Sequence, residues 1–298
     1  MMINNIAMKS KRGFTIWELL CVILIIALLL ALLMPALERS RSMATVSICM
    51  SYLRNYSING LQYLDDNDGV FPEANEWLYT KKSDSADHPI GCRWHDQTMA
   101  PGGRIMNTSP EYRGKMWEYI GEMGIRPCPT FRRYARSRGC ENPDHNGDID
   151  INPQNSYTMN GYLGTTKEGG VLKISEVREP SEVFFFAEEN SWSLRPDHPK
   201  YPVRWLSAAL STRALDDTVL FISPTPEAKD CFATYHRPGG LDHGYGNAAI
   251  IDGHVTRIRA EDQLRKNTHG GKSSFGPGGN LHLAWASESP PAGGWDAQ

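Results

Sequence analysis

The chain has 298 residues, 40% hydrophobic and 22% charged, with a formal net charge of −3. That is enough apolar material for a packed core and enough length for one large domain or two small ones. The charge balance gives no electrostatic reason to expect nucleic acid as a partner, and six cysteines without a CxxC pair argue against a zinc ribbon or a thioredoxin-like site.

Residues 1–13 carry Lys9, Lys11 and Arg12 and no acid, so without them the net charge falls from −3 to −6 as three positive charges leave. From Leu19 to Leu37 no residue is charged. Read as helix, Phe14–Leu37 spans roughly 36 Å at ~1.5 Å per residue, enough to cross the ~30 Å apolar layer of a bilayer. A core helix of a soluble protein seldom lacks a polar face over such a length. Basic residues ahead of the run stay on the cytoplasmic side, so the C-terminal remainder of the chain is expected to be translocated. An ordinary signal peptide would be cut after the apolar run at small residues, and Pro35-Ala36-Leu37-Glu38-Arg39 is a poor match to that. Glu18 stands at the edge of the run, where a charge is costly unless it stays at the interface or finds a partner, which makes it a functional candidate.

The segment Lys11-Arg12-Gly13-Phe14-Thr15-Ile16-Trp17-Glu18-Leu19-Leu20 resembles the cleavage and methylation motif of type IV prepilins and type II secretion pseudopilins. The resemblance implies cleavage after Gly13 by a prepilin peptidase, N-methylation of the new N-terminal Phe14, and an assembly role for Glu18. It also implies a place for Pro35, where the family often carries a helix-kinking proline. Trp17 replaces the usual aliphatic residue. Cleavage ahead of the apolar run keeps the anchor, and the new amine of Phe14 is then free to pair with Glu18 of a neighbouring subunit, setting axial register.

Helical periodicity continues beyond Pro35. Val46, Met50, Leu53, Ser57, Leu61 and Leu64 recur at three-to-four spacing and predict an amphipathic continuation over residues 38–65. Asp65-Asp66-Asn67-Asp68-Gly69 is chain-breaking and ends it. With Tyr63, Phe71 and Pro72, this stretch is similar to a subfamily of large pseudopilin-like proteins of planctomycete- and lentisphaera-type bacteria. Some pseudopilin heads hold a loop with calcium, so a structural calcium stays open here. An EF-hand is excluded, because placing Gly69 sixth puts Leu64 first and Asn75 twelfth.

Residues 73–155 are rich in Gly, Pro, Asn, Asp and Arg; Trp77, Trp94 and Trp117 are expected to anchor loops, and residues 111–121 to make one short helix. Cys21 is expected to face lipid or a packed helix. Cys49, Cys92, Cys128, Cys140 and Cys231 form an odd set that allows at most two internal disulfides, with no pairing fixed by sequence. Arg126-Pro127-Cys128-Pro129 and Ser156-Tyr157-Thr158-Met159-Asn160-Gly161-Tyr162 resemble two further landmarks of the same subfamily, the second a strand. Val183–Ala187 is apolar and β-prone and predicts a buried strand. Glu188 and Glu189 come directly after it; neighbours on a strand point to opposite faces, which argues against a catalytic carboxylate pair.

Residues 234–258 (TYHRPGGLDHGYGNAAIIDGHVTRI) admit two readings. His236, Asp242, His243, Asp252 and His254 are ligand types for a transition metal. Alternatively, Asn247–Ile251 and His254–Ile258 are two strands joined by an Asp252-Gly253 hairpin turn in which both positions take positive φ. The stretch also resembles the subfamily's C-terminal histidine, apolar strand and Asp-Gly-His-Val. From residue 267 the Gly/Ser/Pro-rich composition predicts a mobile tail to residue 298, with Trp285 and Trp295 as local docking points.

The expected architecture is therefore α+β and pilin-like: a leader (1–13), a transmembrane helix (14–37), its amphipathic continuation (38–65), a head (66–266) on a mostly antiparallel sheet, and a tail (267–298). The resemblance implies a non-enzymatic pseudopilus subunit without a cofactor, single-pass in the inner membrane with its head in the periplasm or outside. Its implied partners are the prepilin peptidase and N-methyltransferase, other pseudopilins and an inner-membrane assembly platform. The rival reading is a membrane-tethered ligand-binding or metal-dependent enzyme head on a prepilin-type anchor.

Overall fold

The structure, a computed structural model, describes residues 14–78, 113–124, 127–138, 155–189, 218–222, 232–236, 244–259, 267–269, 272–274 and 284–288. The chain divides into two units, Met1–Met43 and Ala44–Gln298. Helix α1 is a 51-residue element, Ile16–Asp66. Thr15 starts it with a reciprocal cap: Glu18 N donates to Thr15 Oγ1 (3.2 Å), while Thr15 N and Oγ1 donate to Glu18 Oε2 (2.9 and 2.8 Å). Pro35 lies inside the helix and removes one backbone donor without ending it.

In the first unit every described residue up to Arg41 is exposed, including the whole Leu/Ile run. Such a surface is far more apolar than a soluble monomer presents to water, and by length and composition the helix can cross a membrane.

In the second unit α1 buries Val46, Cys49, Leu53, Tyr56, Ser57, Gly60, Tyr63 and Leu64. This three-and-four spacing is the expected stripe turned slightly about the axis, since Met50 and Leu61 are only half buried. The helix stops where the breaker sequence lies. Gly69 N donates to Leu64 O (2.8 Å), with Asp68 at φ 53° and Gly69 at φ 72° in the left-handed region that glycine tolerates.

Two short helices come next, α2 (Trp117–Gly124) and α3 (Pro129–Arg138). The strands are β1 (Tyr157–Asn160), β2 (Phe184–Glu188), β3 (Val219–Leu220), β4 (Tyr245–Ile250) and β5 (Val255–Arg259), in the order β3-β1-β2-β4-β5. The expectation of a mostly antiparallel sheet is corrected: the sheet is mixed, because β3 pairs with β1 in parallel. A parallel partner needs a long crossover, and residues 161–218, which include β2, lie between β1 and β3.

Strand β2 is buried on both faces. Its pairing with β4 slips between Phe184 and Phe186, so Phe185 is the extra residue of a bulge. The bulge places consecutive residues on one side: the Phe185 and Phe186 rings stack at 4.4 Å, and both approach Gly60 of α1. Phe186 also meets Tyr56 (5.7 Å) and Trp77 (5.0 Å). Trp77 is the loop anchor expected from sequence, its indole N–H donating to Thr218 O at 2.8 Å.

The β4–β5 hairpin is present, with a different turn from the one expected. Only Gly253 has positive φ (94°). Gly253 N donates to Ile250 O and Ile250 N to His254 O, which fits a type I turn closed by a left-handed glycine rather than a two-residue loop. Strands β6 (Asn267–His269) and β7 (Lys272–Ser274) pair as a separate hairpin. The expectation of a mobile tail also needs correction at residues 284–286, which are buried. Asn160 Nδ2 donates to Ala284 O (2.7 Å), Ala286 N to Gly169 O (2.9 Å), and the Arg178 guanidinium lies 5.2 Å over the Trp285 ring. A buried indole and satisfied backbone groups overcome the low apolar content of that stretch. Trp94 and Trp295 lie outside the described residues.

A methyl group on Gly60 would sit 2.4 Å from Phe185 Cε1 in a fully buried seam. Gly60→Ala is expected to lower stability by about 1–3 kcal/mol through overpacking, outweighing the gain in helix propensity of ~1 kcal/mol. Denaturant unfolding of the full chain in detergent, monitored by tryptophan fluorescence, measures this.

Candidate functional site

Among the described residues, two places concentrate chemistry: the start of α1 and a buried cluster in the second unit. At the first, Glu18 and Thr15 form a capping box. Its sequence signal is Thr-x-x-Glu, whereas the family resemblance assigns Glu18 only an assembly role. The carboxylate thus does local work in a single chain, satisfying N-terminal backbone donors of the helix. Phe14 is exposed, and Gly13 lies outside the described residues.

The buried cluster is Cys49, Cys128, Glu188 and His236, all at most 1% exposed, with ligand atoms within 4.8 Å of one another. Each comes from a different part of the chain. Cys49 lies on the buried stripe of α1, and Cys128 immediately precedes α3. Glu188 ends β2 on the side that the bulge turns toward α1. His236 ends a short extended segment that bridges Glu189 through Phe232 and Tyr245 through His236 itself.

Cys49 Sγ is 2.7 Å from Cys128 Sγ, and Cys128 Sγ is 3.5 Å from His236 Nε2. His236 Nε2 donates to Glu188 Oε1 at 2.9 Å. Glu188 Oε2 accepts from Asn247 N (2.9 Å) and Asn247 Nδ2 (2.8 Å), so the carboxylate is clamped from behind with Oε1 facing the sulfurs and imidazole. Cys128 N donates to Ser156 Oγ at 2.7 Å, fixing that backbone against the start of β1. Among the described residues, His236 is the only cationic side chain hydrogen-bonded to Glu188, and His236 Nδ1 has no hydrogen-bond partner.

Electrostatics are set by burial. Burial raises the Cys49 thiol pKa and pushes that of Cys128 well up. Burial pulls the His236 imidazole down, but the charge of Glu188, aided by Cys128, outweighs it and lifts the pKa to about 10. Without another cation the cluster is therefore two neutral thiols beside an imidazolium–carboxylate pair.

Of the described candidate ligands read from sequence, only His236 belongs to this cluster. Asp252 and His254 instead pair with each other (Nδ1 to Oδ1, 2.6 Å), exposed on the β4–β5 turn, where Asp252 Oδ1 also accepts from His254 N. His236 does not converge with Asp252 and His254, for a geometric reason. His236 pairs with Tyr245 at one end of β4 and the turn lies beyond the other end, roughly 16 Å away at ~3.3 Å per residue. Asp242 and His243 lie outside the described residues, as do Cys92, Cys140 and Cys231. Sequence reasoning missed Cys49, Cys128 and Glu188 as partners of His236. The sequence separations between contacting members are 79, 108 and 48 residues, so no short spacing announces the set.

The chain matches no known family, no curated protein and no solved structure.

Glu188→Ala removes the charge that holds the buried His236 imidazole protonated and leaves two Asn247 donors buried without their acceptor. A loss of about 3–5 kcal/mol in unfolding free energy is expected. Asp252→Ala removes a half-exposed pair and should cost about 1 kcal/mol or less. Parallel denaturant titrations of the two variants in detergent check the contrast.

Proposed function

We propose that this chain is a structural subunit of a pseudopilus or related type IV pilus-like fibre, processed after Gly13 and methylated at Phe14. The observation that carries the reading is the start of α1: a basic-Gly-Phe-Thr stretch, one carboxylate, then an apolar helix whose residues up to Arg41 are all exposed. Exposed apolar surface of that extent needs lipid or other subunits to cover it. In this reading the protein sits in the inner membrane by a single helix with its head translocated. It assembles with other pseudopilins on a membrane platform after a prepilin peptidase and N-methyltransferase have acted.

The rival, a tethered enzyme, gains the buried cluster as its strongest feature. All four members are nearly inaccessible, which suits a structural element better than a place where a substrate must enter.

The cap changes how the assembly role of Glu18 is tested. Glu18→Gln preserves a capping side chain and removes the charge; Glu18→Ala removes both. Both variants should insert into the membrane, and both should fail to co-assemble with sibling subunits if the charge pairs with a neighbour's Phe14 amine. Co-assembly by the glutamine variant at the native level would reduce Glu18 to a cap. N-terminal mass spectrometry of the mature protein tests the processing: the expected first residue is N-methylated Phe14, and a start beyond residue 35 would exclude a fibre subunit of this kind.

A further inference from the structure

We infer that Cys49, Cys128, Glu188 and His236 form a structural zinc site that clamps α1 to the sheet of the second unit. The donor chemistry is selective. Two sulfurs, one imidazole nitrogen and one carboxylate oxygen are a borderline-soft set of four, which suits Zn²⁺ and not the hard cations Ca²⁺ and Mg²⁺, whose ligands are oxygens. A closed set of four protein donors is the pattern of a structural site; a catalytic zinc keeps one position for water or substrate.

Geometry supports the same ion. Bonds of about 2.3 Å to sulfur and about 2.0–2.1 Å to nitrogen or oxygen, arranged tetrahedrally, put donor pairs roughly 3.3–3.8 Å apart. Cys128 Sγ and His236 Nε2 already stand at 3.5 Å. The Glu188–His236 contact at 2.9 Å and the sulfur pair at 2.7 Å are shorter. The sulfurs must therefore separate by about 1 Å to reach tetrahedral spacing, a change within reach of small side-chain rotations. On binding, both thiols release their protons to solvent, the imidazolium releases its own and enters neutral through Nε2, and the carboxylate enters as it is. One net negative charge remains. A hydrogen-bonded second layer is in place as well: Asn247 orients the carboxylate, and Ser156 holds the Cys128 backbone.

The competing arrangement is a Cys49–Cys128 disulfide. It would engage only the two sulfurs and give no reason for a carboxylate and an imidazole to converge on them in the core. Zinc accounts for all four.

Cobalt is the probe. The full chain, purified in detergent, is stripped with a chelator, reduced and titrated with Co²⁺ under anaerobic conditions. The expected result is one Co²⁺ per chain, with the visible bands of tetrahedral cobalt and a near-ultraviolet thiolate charge-transfer band, both abolished by stoichiometric Zn²⁺. The triple variant Cys92→Ser/Cys140→Ser/Cys231→Ser should keep these bands, because it leaves all four ligands intact. Cys128→Ser should lose the charge-transfer intensity or shift it markedly. Chelation should lower the thermal midpoint by roughly 5–10 °C, restored by Zn²⁺. Should Cys128→Ser not fold, the triple variant still decides. Absence of the thiolate band from that variant overturns the site. So does a metal-free protein, as isolated, whose non-reduced peptide map links Cys49 to Cys128. These outcomes are independent of fibre assembly, which can fail while the metal binds.

Discussion

The close approach of α1 to β2 is the constraint on which the second unit depends. Gly60 has no side chain where the Phe185 and Phe186 rings meet the helix, so helix and strand come together without a gap. Tyr56 and Leu53 then fill the next turn, and Cys49 the one after, so the helix carries the core directly into the polar cluster. Interiors are packed at crystal density, and a shift of one seam residue is felt along the whole contact.

The bulge in β2 serves the same seam. It stacks two consecutive phenylalanines toward α1 and brings the next alternate position, Glu188, to that side. A carboxylate with no exposure then requires partners, and it has them: Asn247 behind, His236 in front. Burying such a pair is not in itself a strong source of stability, because desolvation offsets most of the attraction. Its value lies in specificity, since few arrangements bring both Asn247 and His236 onto one buried carboxylate. The cluster thereby gives the helix a reason to sit in one register on the sheet.

The two ends of α1 differ in what covers them. From Val46 onward its buried stripe is satisfied within the chain. Up to Arg41 its apolar surface is exposed and has to be covered by something else. One helix thus joins a stretch whose buried stripe packs into its own core to a stretch whose apolar surface is uncovered among the described residues.

Local chemistry was legible in the sequence. The long apolar helix, its breaker at Asp65–Gly69, the strands around Val183–Ala187 and residues 245–259, and the place of the Asp-Gly turn, though not its type, all come from periodicity, propensity and turn residues, which act over a few positions. Features that depend on distant residues were not legible. The parallel partner β3, the bulge that overrides strand alternation at Phe185, and the return of Ala284–Ala286 into the core are set by packing. The meeting of Cys49 and Cys128 with Glu188 and His236 is the sharpest case. Four residues on separate parts of the chain share no spacing, and only the packing of α1, the start of α3 and the 232–236 segment around β2 brings their atoms together.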